Sequence, residues 1–219
     1  MSDYTLYIAN KNYSSWSLRG WLLMRAFDIP FTEKMVLLDE HVKIPELKGI
    51  SPTGKVPCLV DGDVTVWESL AIAEYLAEKH PAKMLWPLPE NMRSHARAIS
   101  AEMHAGFGVL RTACPMNMRR PERILAVGDD VMADVARIMD IWTDCLARYA
   151  GPFLFGDFTI ADAMYAPVYS RFKSNGLVRD AGDKLVMARY GEALESMPAW
   201  QEWYQAALME TAFMPVNEV

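Results

Sequence analysis

Apolar and polar positions alternate in two rhythms along this chain, and the rhythm changes near residue 80. TLYIA (5–9) is β-branched and aromatic and runs into polar residues at Asn10 to Asn12, which predicts a short strand. In 17–27, Leu18, Trp21 and Leu22, then Leu23 and Phe27, recur at helical spacing behind a serine cluster. FTEKMVLL (31–38), entered through Ile29-Pro30, predicts a second strand; residues 39–50 are polar, and a short irregular helix is expected there. Two apolar runs, Val56–Val60 and Val64–Trp67, flank Asp61-Gly62-Asp63 as the arms of a hairpin. SLAIAEYLAEK (69–79) has a clear helical stripe. After the proline-punctuated stretch Pro81 to Pro89, only helical periods remain, over 91–113, 122–149, 159–172, 182–195 and 197–211. The expected architecture is an α/β domain of order β-α-β-α-β-β-α over residues 1–80, a linker over 81–90, and an all-α domain over 91–219.

Composition narrows the function. The chain has 219 residues, 52% of them hydrophobic and 11% aromatic, enough to build a core rather than a disordered chain. Its 22 basic and 28 acidic residues give a net charge of −6, which argues against a nucleic-acid footprint and against an anionic membrane surface. No apolar run approaches the roughly 20 residues that span a bilayer. The N-terminal stretch has no basic flank leading into a long apolar run, so no secretory signal is expected. Cys58, Cys114 and Cys145 are odd in number and widely spaced, so a disulfide framework is not expected and a cytoplasmic, reducing compartment is. His41, His80, His95 and His104 fall in no metal-ligand pattern, and no metal is expected.

Three places can carry chemistry. Tyr13-Ser14-Ser15-Trp16-Ser17 joins the first strand to the first helix, where ligands of an open α/β sheet settle and where free N–H groups favour an anion. A serine there can donate to a thiolate and so lower the thiol's pKa, or it can simply cap the helix. Lys55-Val56-Pro57 opens the hairpin; a cis peptide at Pro57 would turn the backbone of Val56 outward to pair with an extended peptide. Glu68-Ser69 stands at the junction of the last strand and its helix, placed to receive an ammonium group and a carboxylate, or to cap.

Taken together, Ser14-Ser15-Trp16-Ser17, Ser51-Pro52-Thr53-Gly54-Lys55-Val56-Pro57 and Glu68-Ser69-x-Ala71-Ile72-x-x-Tyr75-Leu76 resemble the glutathione transferase superfamily. Phe158-Thr159-Ile160-Ala161-Asp162 looks like that family's buried capping box, with Asp162 at the reciprocal offset from Thr159. The resemblance spans nearly the whole chain. It implies a thioredoxin-like N-terminal domain that binds glutathione as co-substrate and a helical domain that forms the electrophile pocket. Carried over, Ser14 would stabilise the glutathione thiolate, with Ser15 the nearest alternative. Val56 would clamp the cysteinyl backbone before a cis Pro57, and Glu68 and Ser69 would hold the γ-glutamyl end. Lys55, where relatives often carry glutamine, would reach the glycine carboxylate or stay solvated; His41 and Lys43 are weaker candidates for that carboxylate.

The electrophile pocket is expected on the helix predicted over 91–113, with Met103, His104, Phe107 and Arg111 facing it. Arg111, Arg119 and Arg120 are candidates for a substrate carboxylate, and Tyr165 and Arg171 for the cleft wall. Trp16 stands where zeta-class members carry cysteine, which counts against maleylacetoacetate isomerase activity. The implied function is a detoxifying, serine-type glutathione transferase acting on a small electrophile. The alternatives are a glutathione-dependent isomerase or dehalogenase, or a non-catalytic binding module. The resemblance also suggests a cytoplasmic homodimer.

Overall fold

In the computed structural model, residues 4–37 and 47–218 are described. His41 and Lys43 lie outside the described residues, as does most of the irregular helix expected over 39–50. In β1 (Tyr4–Ile8), Tyr4, Leu6 and Ile8 are buried while Thr5 and Tyr7 are half-buried, the period of two that a pleated strand imposes. β2 (Thr32–Met35) pairs parallel with β1, and α1 (Ser15–Ala26) supplies the crossover that a parallel pair needs. β3 (Cys58–Asp61) lies antiparallel on the other side of β1 and forms the hairpin with β4 (Val64–Trp67), giving the order β2-β1-β3-β4. α2 (Ser69–Lys79) follows directly. This mixed sheet with its helices precedes a helical C-terminal part: α3 (Glu90–Ala105), α4 (Gly108–Ala113), α5 (Asp129–Tyr149), α6 (Ile160–Asn175), α7 (Ala181–Ser196) and α8 (Pro198–Met209).

Three expected boundaries move. The single helix expected over 91–113 is two, because Gly106 ends α3 and Phe107 adopts a left-handed backbone (φ 55°) that turns the chain and sinks its ring into the core. The helix expected from 122 starts only at Asp129. The preceding residues are held extended along the end of α6, with Arg123 N–H donating to the Ser174 carbonyl at 3.2 Å and Leu125 N–H to that of Asn175 at 3.0 Å. Val56 and Pro57 precede β3 rather than form its first residues, and the peptide between them is cis.

α6 is the spine of the molecule: every residue from Ile160 to Phe172 is buried. It packs against α1 on one side and α3 on another, so the sheet half and the helical half share one core. Its N-terminus carries the capping box. Thr159 Oγ1 accepts from Ala161 N–H at 3.2 Å, while Asp162 Oδ2 accepts from Thr159 N–H at 2.8 Å and from the Thr159 hydroxyl at 3.2 Å. The other carboxylate oxygen accepts from Leu154 N–H at 3.0 Å.

Candidate functional site

The strand ends, the start of α1 and α4 meet at a cleft of about 250 Å³ lined by Trp16, Thr53, Lys55, Val56, Pro57, Glu68, Ser69 and Arg111. Lys55, Val56, Pro57, Glu68 and Ser69, the glutathione-side residues expected beside the serine pair, all line it. The backbone explains the shape. The cis peptide turns the chain outward just before β3, and Glu68 takes a left-handed conformation (φ 69°) that ends β4 and starts α2 in one step. Neither Glu68 nor Ser14 caps its helix by accepting a backbone N–H with its side chain, so the Glu68 carboxylate is not consumed by the start of α2.

Ser14 and Ser15 are buried next to Trp16 in sequence and are not themselves among the residues that line the cleft. Their hydroxyls differ in bonding. Ser14 Oγ donates to Ser17 Oγ at 2.8 Å, and Ser17 Oγ also accepts from Ala9 N–H at 3.0 Å, so the Ser14 proton points into the fold. Ser15 Oγ accepts from a guanidinium N–H of Arg171 at 3.0 Å. With that lone pair engaged, its own O–H remains available to donate.

Arg171 comes from α6, 156 residues along the chain from Ser15. It is held by the carbonyl of Arg111 at 3.2 Å and by that of Cys114. Burial, then the neighbouring charge of Arg111, pulls its pKa down to about 10. Arg19, also fully buried, donates to the Met164 carbonyl at 2.9 Å and the Ser15 carbonyl at 3.2 Å; burial and then Arg171 and Arg111 push its pKa well down. The indole of Trp16 lies between the guanidinium of Arg19, 4.2 Å from its ring centre, and that of Arg111 at 5.1 Å, with the edge of His104 at 5.3 Å. Arg19 and Arg171 each keep one buried nitrogen with no hydrogen-bond partner among the described residues, as does His104 at Nδ1. His104 Nε2 is 3.6 Å from Glu68 Oε2. Burial lowers its pKa, helped by Arg19 and Arg111 and opposed by Glu68.

Of the four residues expected in the electrophile pocket, Arg111 lines the cleft and His104 reaches it through Glu68 and Trp16. Met103 and Phe107 are in the hydrophobic core instead: Met103 continues the buried stripe of Ala96, Ile99 and Ser100 on α3, and the left-handed backbone at Phe107 turns that ring inward. Tyr165 is buried with its hydroxyl on the Ile99 carbonyl. Arg119 and Arg120 bind backbone carbonyls of the C-terminal segment. Sequence reasoning missed Arg19 and Thr53. A charged residue between Leu18 and Gly20, inside an otherwise apolar helical run, was the available signal for the first; for the second it was its place in the Ser51-to-Pro57 motif, two residues before Lys55.

Residues 13–79 match the family model for the glutathione S-transferase N-terminal domain, and residues 122–206 match that for its C-terminal domain. The chain is 32% identical over 197 residues to a probable maleylacetoacetate isomerase of Caenorhabditis elegans, covering 89% of this chain and 90% of the relative. A glutathione transferase homologue from Burkholderia with bound glutathione has the same fold, with a TM-score of 0.72, 23% identity and coverage of 93% of this chain and 97% of that one. So does a theta-class glutathione S-transferase from Xanthomonas axonopodis with glutathione bound, with a TM-score of 0.69, 21% identity and coverage of 95% and 100%. The chain belongs to the glutathione S-transferase family.

Proposed function

We propose that this protein binds glutathione in the cleft between β3, α1 and α2 and uses Ser15 to hold the thiolate for attack on a small electrophile. The backbone of Val56 pairs with the cysteinyl residue, Glu68 and Ser69 receive the γ-glutamyl head group, and Lys55 faces the glycine carboxylate. The division into a glutathione-binding unit (1–80) and a pocket-forming unit (91–219) joined by 81–90 belongs to the same reading. So do a cytoplasmic setting and a homodimer. Support for the ligand comes from the family and from the two structural neighbours that hold glutathione.

The observation that carries the mechanism is the unequal bonding of the two serines. Ser14 gives its proton to Ser17, whereas Ser15 receives a bond from Arg171 and keeps its own proton to give. The preference therefore passes from Ser14 to Ser15. A hydroxyl polarised by a guanidinium donates more strongly to a developing thiolate, which lowers the thiol's pKa, while binding both reactants supplies proximity. Met103 and Phe107 shape the pocket only from behind; Arg111, His104 and Trp16 face the electrophile.

Turnover of chloro-dinitrobenzene by Ser15→Ala and Ser14→Ala tests this. Ser15→Ala is expected to lower kcat/KM about 100-fold, the cost of one preorganised donor. Ser14→Ala should stay within a few-fold, and calorimetric affinity for glutathione should hold in both. Equal losses, or the reverse order, would return the role to Ser14. The isomerase reading is favoured by the similarity to the C. elegans relative; turnover of maleylacetone without turnover of chloro-dinitrobenzene would establish it.

A further inference from the structure

The loop that leads into the serine pair is held from outside the cleft by the C-terminal segment. The Glu210 carboxylate accepts two successive backbone N–H groups of that loop, Lys11 on Oε1 at 2.6 Å and Asn12 on Oε2 at 2.9 Å. The carbonyl of Lys11 in turn accepts from the Trp203 indole N–H of α8 at 3.0 Å. The same peptide unit is thus gripped on both its polar edges. The Lys11 ammonium is buried, 3.0 Å from Glu33 and over the rings of Trp21 and Trp203. Tyr13 is fixed as well: its hydroxyl donates to Glu218 at 2.5 Å and accepts from Arg119 at 2.8 Å, and Arg119 also binds the carbonyls of Glu210 and Ala212. From there the chain passes through Ser14 N–H on the Asn10 carbonyl (2.8 Å) and Ser15 N–H on the Tyr13 carbonyl (3.0 Å) into α1.

We propose that Glu210 is a positioning residue for the reaction: by binding the Lys11 and Asn12 N–H groups it sets where the start of α1 presents the Ser15 hydroxyl. Two charge-assisted bonds from one carboxylate, one to each of two successive peptide planes, fix both the place of this turn and the angle between those planes, which one bond cannot do. Only Tyr13 and Ser14 separate Asn12 from Ser15, so a tilt there displaces the hydroxyl by an ångström-scale distance, enough to weaken a preorganised donor. The inference rests on the glutathione reading for its effect on turnover, but its structural half stands without the ligand.

Two variants test it. Glu210→Gln keeps the shape but turns one acceptor into a donor facing an N–H; Glu210→Ala removes both. In each, the apparent pKa of bound glutathione, read from thiolate absorbance against pH, should rise by about 1 unit, a tenfold loss of thiolate below that pKa. The KM for glutathione should stay within twofold while kcat falls. Phe213→Ser, an exposed change in the same segment, should alter none of these. In the ligand-free protein, amide exchange at Ser14 and Ser15 should quicken about tenfold in both Glu210 variants, the signature of local loosening. Unchanged exchange together with an unchanged thiol pKa in Glu210→Gln would overturn the proposal. A wild-type protein that forms no glutathione thiolate would instead sink the glutathione reading, and the exchange rates would still decide the role of Glu210.

Discussion

Two buried charged centres lie at opposite ends of α6, and they are built to different rules. At the N-terminal end, Asp162 has both oxygens filled by the N–H groups of Thr159 and Leu154 and by the Thr159 hydroxyl. At the C-terminal end, Arg171, with Arg19 beside it, has a side-chain nitrogen with no protein partner among the described residues and a serine whose proton is uncommitted. A saturated network fixes a structure. An unsaturated one of a single sign, gathered beside a cleft, is arranged for something that arrives. The first centre therefore belongs to folding, and the second is the one that the proposed function assigns to the ligand.

Exchanging the two kinds of readout breaks or sharpens that contrast. The largest effect is expected from Asp162→Ala, which strands two N–H groups and a hydroxyl and should cost about 4 kcal/mol in urea unfolding, while kcat per folded molecule is unchanged. Loss of activity without loss of stability there would reverse the assignment. Arg171→Met should do the opposite, lowering kcat/KM about 100-fold with the unfolding free energy moved by less than about 2 kcal/mol, because a buried cation also costs desolvation.

Third comes pH. Burial raises the pKa of Asp162 to about 6, against the bonds from Leu154 and Thr159 that lower it. A raised carboxyl pKa favours the protonated folded state, so this contribution is complete below about pH 4 and is lost as pH rises through about 6. The urea midpoint of the wild type, compared with Asp162→Asn at each pH, should therefore decline across that window and level off above it; a flat difference would show that burial does not govern this carboxyl. The smallest change is Thr159→Ala, which removes one cap and should cost about 1 kcal/mol.

What could be read in the sequence follows the same division. The capping box was legible because Thr159 and Asp162 are three residues apart and the chemistry is local. The hairpin, α1 and α2 were legible from their periods, and the family from four short motifs in order. The break at Gly106-Phe107 was not, since the apolar spacing runs on across it; only the glycines on either side hinted at a turn. Arg171 on Ser15 and Glu210 on Lys11 could not be read at all. Each joins residues more than 150 positions apart, and in sequence an arginine on a helix or a glutamate near its end looks like an ordinary solvated charge. Met103 and Phe107 show the converse: helical spacing placed both on one pocket face, whereas Met103 lies on the buried stripe of α3 with Ala96 and Ile99, and Phe107 is turned inward after Gly106.

Glu68 has one more consequence. A non-glycine residue held at φ 69° and ψ 125° carries backbone strain on the order of 1–3 kcal/mol, which glycine, having no Cβ, escapes at a smaller entropic cost. Glu68→Gly should make the protein harder to melt and, with the carboxylate gone from the cleft, poorer at gripping an amino-acid head group. A library screened for heat tolerance alone would drift toward glycine at this position, whereas the proposed function predicts that one screened for glutathione-dependent turnover would keep the acid. Sequencing the survivors of both screens would reveal whether thermal fitness and chemical fitness pull this codon in opposite directions.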